Sequence, residues 1–396
     1  MLTISNFALY SAFIIMLVAL VPFSLAVKSK HKDKYNKIAI IMTSIAFVLQ
    51  IVYFITRWIV AGHAPVSNLY EFVSFFGIMI IGGFLLFNMI YNTPVLGLFA
   101  IPIALLVIGY ASMFSRDVSP LVPSLQSHWL AIHVITVSIS YGVLSISAVA
   151  GLIYIIKTTE PSIRNKEFFG IEMIMWFIVT VIAFILITIT MRGIIQYEDL
   201  YLYTDKNDQT QVAEYHLPAI TVFDSSVPVN DLGDNQYEQI DGNQGFIKLP
   251  PFINAQKVNT VIWSIFGGSL LYGLIRLFVR KPLFMLVKPW TKNVNIELMD
   301  EIGYRSVIIG YPLFALGGLL FAAIWAQEAW SRFWGWDPKE TWAFITFMFY
   351  TVFLHLRLNK GFDGKKSAWL AVIGMLVILF NLIAVNLIIA GLHSYA

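Results

Sequence analysis

Long apolar runs alternate with short polar segments along most of the 396-residue chain. A helix that crosses the hydrocarbon core of a bilayer needs about 20 predominantly apolar residues. Ten runs meet or approach this length, at residues 3–27, 38–60, 70–90, 95–114, 130–156, 168–190, 257–279, 302–325, 341–358 and 367–389. The pattern predicts an all-α polytopic membrane protein with about ten transmembrane helices. The first run is too long for the core of a signal peptide, so we expect it to be a retained span.

One polar segment, residues 191–256, interrupts this pattern between the sixth and seventh runs. It contains ten acidic residues and three basic ones. Short alternating stretches such as Ile220–Phe223 favour β-strands. We therefore predict a small extracytoplasmic, β-rich insertion between an N-terminal block of six spans (1–190) and a C-terminal block (257–396). The sequence leaves open whether this insertion binds a partner or only connects the two blocks.

Composition and charge support a membrane protein and give it an orientation. Charged residues make up 12% of the chain and hydrophobic residues 58%, whereas soluble proteins carry about 25% charged residues. Seventeen of the 26 basic residues follow the first, fifth, seventh and ninth spans, which end on one side of a ten-span topology. The positive-inside rule makes that side cytoplasmic and places both termini outside. Basic residues in short loops argue against nucleic-acid binding, and the absence of cysteine excludes disulfides and thiolate sites.

The most unusual local feature is a concentration of tryptophan. Five of the eleven tryptophans lie within residues 325–342, namely Trp325, Trp330, Trp334, Trp336 and Trp342. The predicted topology places the loop at 326–342 outside the membrane. Interfacial aromatic belts are the ordinary alternative, but they use scattered rings. Several flat, polarisable rings in one loop suit a large flat ligand with polar edges, such as a porphyrin.

The same loop carries a helix-start signal. Asp337, Pro338 and Glu340 have the spacing of an N-cap, an N1 proline and an N3 glutamate, which predicts a capping box at the start of the ninth span. Asn68 and Glu71 have the same spacing before the third span. We interpret Asp337 mainly as a helix cap that holds the aromatic loop, although its position also makes it a candidate ligand contact.

Three histidines are candidates for binding chemistry. His133 lies near the outer start of the fifth span, and His393 follows the tenth span on the same side. His128 is five residues from His133, about 140° around a helix, so the two do not share a face. His355 lies seventeen residues into the ninth helix, about 25 Å from its outer end. An ionisable residue within a span is a functional-site candidate, although a structural role is open for each histidine.

Several separated motifs resemble one known family. Residues 330–342 resemble the tryptophan-rich WWD signature of haem-handling proteins, and the surrounding motifs narrow the resemblance to the CcsA/ResC type of cytochrome c assembly protein, from System II. These motifs lie at residues 57–71, 125–134, 301–305, 328–342, 355–357 and 385–395. They occur in the family's order from about residue 57 to the C-terminus. The sixth and seventh spans with the polar segment between them look like an insertion into a core of eight spans.

The resemblance implies a set of roles. His133 and His393 match the two external axial ligands of haem held at the WWD surface, which includes Trp330, Trp334, Trp336, Asp337 and Trp342. His355 matches a membrane histidine proposed to hold haem nearer the cytoplasm, together with a histidine of a CcsB/ResB-like partner protein.

The resemblance also implies a function and a location. Haem b is then both the transported and the attached substrate. The chain is implied to be part of a holocytochrome c synthase that presents haem to the Cys-x-x-Cys-His motif of apocytochrome c. Thiol reductant proteins are implied as further partners. The location is the bacterial cytoplasmic membrane, or the thylakoid membrane if the chain is plastid-encoded.

Other function classes remain as alternatives. A cytochrome b-type electron-transfer subunit needs paired histidines within the bilayer, and only His355 lies deep in a span. A transporter would be expected to have charged residues at the midplane, and the spans hold few. A scaffold for the partner protein would contain no haem when purified.

Overall fold

The computed structural model describes residues 1–29, 31–118, 121, 126–205, 209–233, 236–251, 253–359 and 361–385. The helices in this part are α1 (Leu2–Lys28), α2 (Lys32–Ala61), α3 (Leu69–Tyr91), α4 (Pro94–Ala111), α5 (His128–Thr158), α6 (Lys166–Thr188), α7 (Ala255–Val279), α8 (Phe284–Val287), α9 (Ile296–Phe314), α10 (Ala322–Trp330), α11 (Pro338–Arg357) and α12 (Lys365–Leu379). Three π-helical segments, Ile189–Ile195, Ala315–Phe321 and Phe380–Ala384, follow α6, α9 and α12.

The predicted fold class is confirmed. Among the described residues, nine helical segments are long and apolar enough to cross a membrane. Nine of the ten predicted spans fall on these segments, and the predicted span 341–358 falls on α11. The α11 helix is not one of the nine, since it is less apolar and carries Lys339, Glu340 and Arg357 at its ends.

The helices and strands are distributed over two compact units of the chain. The first unit contains Met1–Ile171 and Phe284–Leu382, and α5 is its central helix. This helix packs against α3, α4, α9 and α12. Glycines make these approaches close: a Cβ on Gly142 would lie 2.3 Å from the carbonyl oxygen of Met79 on α3. Small residues at such contacts let helix backbones pack closely in a membrane, where van der Waals packing is a main source of association.

Gly142 therefore supplies the first testable prediction. The substitution Gly142→Ala is expected to lower the free energy of unfolding by about 1–3 kcal/mol, because the new methyl group must push apart two backbones. The matched control is Gly303→Ala on α9, where the nearest atom to the new Cβ is 3.7 Å away. Unfolding in mixed detergent, followed by tryptophan fluorescence, measures both. Equal stability of the two variants would show that α3 and α5 do not pack this tightly.

The second unit contains Glu172–Leu283 and includes the six strands found among the described residues. The strands are β1 (Asp199–Thr204), β2 (Thr210–Tyr215), β3 (Thr221–Phe223), β4 (Val227–Gly233), β5 (Gln236–Gln239) and β6 (Ile247–Leu249). Four of them form an antiparallel sheet in the order β2-β1-β4-β5, and β3 pairs with β6 in parallel. The predicted β-rich character of this segment is confirmed.

Side chains of α7 hold the strand-bearing segment at the end of a span. The amide oxygen of Asn259 accepts a hydrogen bond from the backbone N–H of Ile220 at 2.9 Å, and the indole of Trp263 donates to the carbonyl of Pro218 at 2.8 Å. A buried cluster that includes Tyr201, Val222 and Ala255 joins the strands to the start of α7. Burial, with a smaller effect of the Asp199 charge, raises the pKa of Tyr201 to about 12, so its hydroxyl remains the donor to the Asn243 carbonyl.

Candidate functional site

The tryptophan-rich loop lies between two well-defined helix ends. Helix α10 ends at Trp330 and is capped by Ser331 in the left-handed conformation. Helix α11 begins after Asp337, whose side chain accepts a hydrogen bond from the backbone N–H of Glu340 at 2.8 Å. The carboxylate of Glu340 accepts in return from the backbone N–H of Asp337 at 3.3 Å and of Gly335 at 2.6 Å. The predicted capping box is confirmed, as is the Asn68 cap of α3.

Trp336 is the most exposed tryptophan of the loop and has a strained backbone. Its φ is +56°, a conformation that bulky residues rarely adopt, and 65% of its surface is exposed. Phe333 is 62% exposed. Strain of this kind persists only where the surroundings hold it, and here the Glu340 carboxylate binds the N–H groups on both sides of Trp336. The loop therefore presents aromatic surface to its surroundings at a cost in backbone energy.

The four tryptophans of the predicted WWD surface, Trp330, Trp334, Trp336 and Trp342, take part in three ring contacts. Trp330 packs edge-on against Trp325, with ring centroids 4.9 Å apart. Trp334 and Trp336 contact each other edge-on at 6.0 Å. Trp342 lies against Phe380, at 4.2 Å. Trp330, the Trp334–Trp336 pair and Trp342 thus each pack against a different aromatic neighbour.

His133 lies beside this loop because of two long-range contacts. Its Nδ1 is 2.8 Å from the carbonyl oxygen of Gly317, in the π-helical segment before α10. Its ring is parallel to that of Trp325, with an interplanar angle of 9° and centroids 5.8 Å apart. Trp325 is 2% exposed and contacts Trp330 on another side. One imidazole and the tryptophan loop are therefore joined through Trp325.

Sequence reasoning did not assign a site role to Trp325. It belongs to the same tryptophan concentration, five residues before Trp330, and this proximity was the available signal. What the sequence could not show is that Trp325 turns inward to His133 while Trp336 turns outward. His128, which is exposed, does not share these contacts, as expected from its different helix face.

The start of α5 and the end of α10 are fastened to each other. The hydroxyl of Ser127, the N-cap of α5, donates to the carboxylate of Glu328 on α10. Next to this bond, the buried side chains of Leu130, Val134 and Trp325 form a cluster with Trp129, Trp330 and other partly buried residues. These contacts fix the position of His133 relative to the loop.

The motif at residues 57–71 forms a buried ionic centre in the first unit. The guanidinium Nε of Arg57 donates to the carboxylate of Glu71 at 2.6 Å, and both side chains are fully buried. The other Glu71 oxygen accepts from the hydroxyl and the backbone N–H of Ser67, at 2.7 and 2.9 Å. Arg57 also donates to the carbonyl of Arg116 at 2.9 Å. The centre ties α2, α3 and the segment after α4 together.

His355 lies apart from Arg305, Arg332 and Lys339, the three cations near the haem-related motifs that could pair with haem propionates. His355 is exposed on α11, two residues before Arg357, which forms a two-point ion pair with Asp300 at 2.8 and 2.7 Å. Arg305 pairs with Glu301 at 2.6 Å and lies twenty residues before Trp325, about 30 Å along a helix. Arg305 is therefore not brought to the loop. Arg332 belongs to the loop and lies against Gly335, and the ammonium of Lys339 lies 5.8 Å from the ring centre of Phe72.

His393 lies outside the described residues, so its proposed pairing with His133 stays a prediction. Among the residues that the structure describes, no three His, Cys, Asp or Glu side chains are grouped so that they could hold a metal ion. His133 and His355 each offer a single imidazole.

Comparison with known proteins identifies the family. The profile of the family described as Cytochrome C assembly protein matches residues 66–194 and 260–393. The chain belongs to this family. It is also similar to proteins named Cytochrome c biogenesis protein CcsA. Two are from Prochlorococcus marinus, with 30% identity over 94% of this chain and 89% of the relative (strain MIT 9301) and 30% over 97% and 91% (strain MIT 9215). A third is from Pyropia yezoensis, with 26% identity over 96% and 93%.

Membership of the cytochrome c assembly family supports a role in cytochrome c maturation for this multi-pass membrane protein. The family profile includes α6 and most of α7, so only residues 195–259 lie between its two matched parts. These residues hold the six described strands. The sixth and seventh spans, which looked like part of an insertion, therefore belong mostly to the family profile. Between these spans, only the strand-bearing segment lies outside it.

Proposed function

We propose that this cytochrome c assembly protein holds haem at its outer surface, with His133 as one axial ligand, and presents it for attachment to apocytochrome c. The observation that carries the proposal is the joining of His133, Trp325 and Trp330 beside the exposed aromatic loop. Haem iron is commonly held by imidazole, and one imidazole is sufficient on each face because the porphyrin supplies the other four ligands. This donor arrangement differs from that of a metal site built from protein side chains alone.

The loop chemistry supports a porphyrin. Exposed rings of Trp336 and Phe333 offer apolar, polarisable surface for a flat macrocycle. The indole Nε1 of Trp334 is buried and donates no hydrogen bond within the described part of the chain, so an acceptor brought by the substrate would satisfy it. Arg332 is exposed in the same loop and is the nearest candidate to pair with a haem propionate.

The second axial ligand in this proposal is His393, assigned by the sequence resemblance. His355 is the proposed ligand of an earlier haem site, about 25 Å along α11 from its outer end. Its side chain is exposed rather than enclosed by the first unit, which suits a site completed by a histidine of a CcsB/ResB-like partner. Haem b would enter at His355 and move outward to His133. The basic loops support an orientation with both termini on the outer side, and the family resemblance supports a bacterial cytoplasmic or thylakoid membrane.

The attachment step needs positioning more than acid–base groups. Each thiol of the apocytochrome Cys-x-x-Cys-His motif adds across one haem vinyl group. Its sulfur bonds to the carbon next to the ring, and its hydrogen goes to the terminal carbon, so no oxidant is consumed. The apocytochrome histidine replaces one axial imidazole. Holding the vinyl groups and thiols in register supplies the rate increase. This chain has no cysteine, so separate thiol reductant proteins must keep the client reduced.

The haem spectrum of the purified protein tests this proposal. The variant His133→Ala is expected to lose the bis-imidazole signature and to mature no detectable cytochrome c, because one axial ligand is removed. The matched control is His128→Ala, on the same helix but exposed on another face. This variant should keep the bis-imidazole signature and mature cytochrome c. If His133→Ala kept the spectrum and matured cytochrome normally, the outer site would be rejected. A permanently bound, redox-active haem within the bilayer would instead favour an electron-transfer subunit.

A further inference from the structure

The helix that carries the tryptophan loop changes its pitch opposite His133. Between α9 and α10, residues Ala315–Phe321 form a π-helical turn, in which the N–H of Ala322 donates to the carbonyl of Gly317, five residues earlier. Single π-turns within α-helices are uncommon and occur frequently at functional sites. The Gly317 carbonyl also faces Nδ1 of His133 at 2.8 Å. One carbonyl thus serves both the wide turn and a side chain 184 residues away in sequence.

The close approach depends on glycine. A Cβ on Gly317 would lie 2.9 Å from the backbone nitrogen of Val137 on α5 and 3.0 Å from the side chain of Thr136. Contacts this short with backbone atoms can be relieved only by moving the helices apart. At Gly318, the neighbouring residue, the three atoms nearest to the new Cβ all belong to the ring of Phe314, 2.8 Å away in the same helix. The absence of a side chain at Gly317 is therefore what brings its carbonyl to α5.

A carbonyl oxygen can only accept a hydrogen bond, so His133 must carry its proton on Nδ1 to make this contact. In a neutral imidazole, the lone pair then resides on Nε2. The parallel ring of Trp325, 9° from the imidazole plane, fixes the ring orientation as well. Metal-binding histidines commonly donate their second ring nitrogen to a carbonyl or carboxylate, which fixes the tautomer and raises the basicity of the ligand atom.

We propose that the π-turn at Ala315–Phe321 positions His133, with the Gly317 carbonyl fixing the Nδ1–H tautomer so that Nε2 is the atom presented to haem iron. This inference rests on the proposed function, since it assigns the atom that binds haem. Gly317 and Trp325 are positioning residues in this scheme. They act through His133 and do not need to touch the substrate.

A second hydrogen bond between the same two helices tests whether the His133–Gly317 bond has only a structural role. The hydroxyl of Ser140 on α5 donates to the carbonyl of Gly310 at 2.8 Å, on α9, the helix that continues into the π-turn. Ser140 and Gly310 each lie seven residues from His133 and Gly317, two helical turns further along this antiparallel pair. The two bonds join the same helices in the same way, but only the outer one involves a side chain that can bind iron. Removing each in turn separates helix clamping from ligand orientation.

The first measurement uses the haem-free protein. Histidine labelled with ¹⁵N distinguishes Nδ1–H from Nε2–H imidazole by NMR, and the His133 signal is assigned by its loss in His133→Asn. The wild-type protein is expected to show Nδ1–H at His133. Nε2–H as the main form would overturn the proposal, whether or not any variant folds.

The second measurement compares Gly317→Ala with two controls, Gly318→Ala and Ser140→Ala. Gly317→Ala is expected to mix the His133 tautomers and to weaken haem binding by about 10–100-fold, the effect typical of losing an outer partner of a metal ligand. Both controls should keep the tautomer and the haem affinity. Unchanged haem affinity in folded Gly317→Ala, or an equal loss in Ser140→Ala, would contradict the positioning role. A bis-imidazole spectrum and normal cytochrome c maturation in His133→Ala would instead reject the proposed function itself.

Discussion

Replacing Arg57 with methionine, while Glu71 is kept, is expected to lower the free energy of unfolding by about 3–5 kcal/mol, because a carboxylate would be left buried without its counter-ion. Neither side chain of this pair is exposed, so solvent cannot take the place of the guanidinium. The loss should extend beyond the pair, since Arg57 also holds the carbonyls of Arg116 and Asp117. Detergent unfolding followed by tryptophan fluorescence measures the change.

Two variants make this result specific. Arg305→Met removes an ion pair of the same chemistry that is about half exposed, and its cost should stay below about 1 kcal/mol. The double variant Arg57→Met/Glu71→Met should be more stable than Arg57→Met alone, because it removes the unpaired charge. If Arg57→Met lowered the free energy of unfolding no more than Arg305→Met does, the buried Arg57–Glu71 pair would not stabilise the protein.

Glu340→Ala is expected to release the tryptophan loop. Its carboxylate accepts from the N–H groups of Gly335 and Asp337, and it completes the cap of α11. Loss of the box and of acceptors for two backbone donors should cost about 2–4 kcal/mol locally. The hydrogen bonds on both sides of Trp336 would then be lost, so we expect faster amide exchange at residues 333–341 and weaker haem retention.

The control for this prediction is Glu297→Ala. Glu297 also lies in the first turn of a helix, α9, but it is exposed. Its removal should leave exchange at residues 333–341 and haem retention unchanged. Glu340→Gln keeps one acceptor oxygen and should fall between alanine and wild type. Unaltered exchange at 333–341 in Glu340→Ala would show that the loop is held by its aromatic contacts instead.

The long-range contacts of His133 with Gly317 and Trp325 explain why the candidate site was only partly predictable. The capping box of α11 could be predicted because Asp337 and Glu340 are three residues apart, and local spacing decides whether such side chains reach each other's backbone. The contact between His133 and Gly317 joins residues 184 positions apart. It depends on a π-turn for which the sequence has no periodic signal. The same holds for the inward turn of Trp325 and the positive φ of Trp336.

Sequence alone determined the membrane class, the positions of the spans, the strand-bearing insertion and the helix caps, because each follows from hydrophobic run length or from neighbours within one turn. It also located the tryptophan concentration and His133. Tertiary structure alone decided that His133 meets Trp325 and Gly317, that the tryptophans divide among three contacts, and that Arg57 is buried against Glu71. These arrangements depend on how closely helices approach at glycines such as Gly142 and Gly317, and packing distances between distant segments are not encoded in the pattern of any one segment.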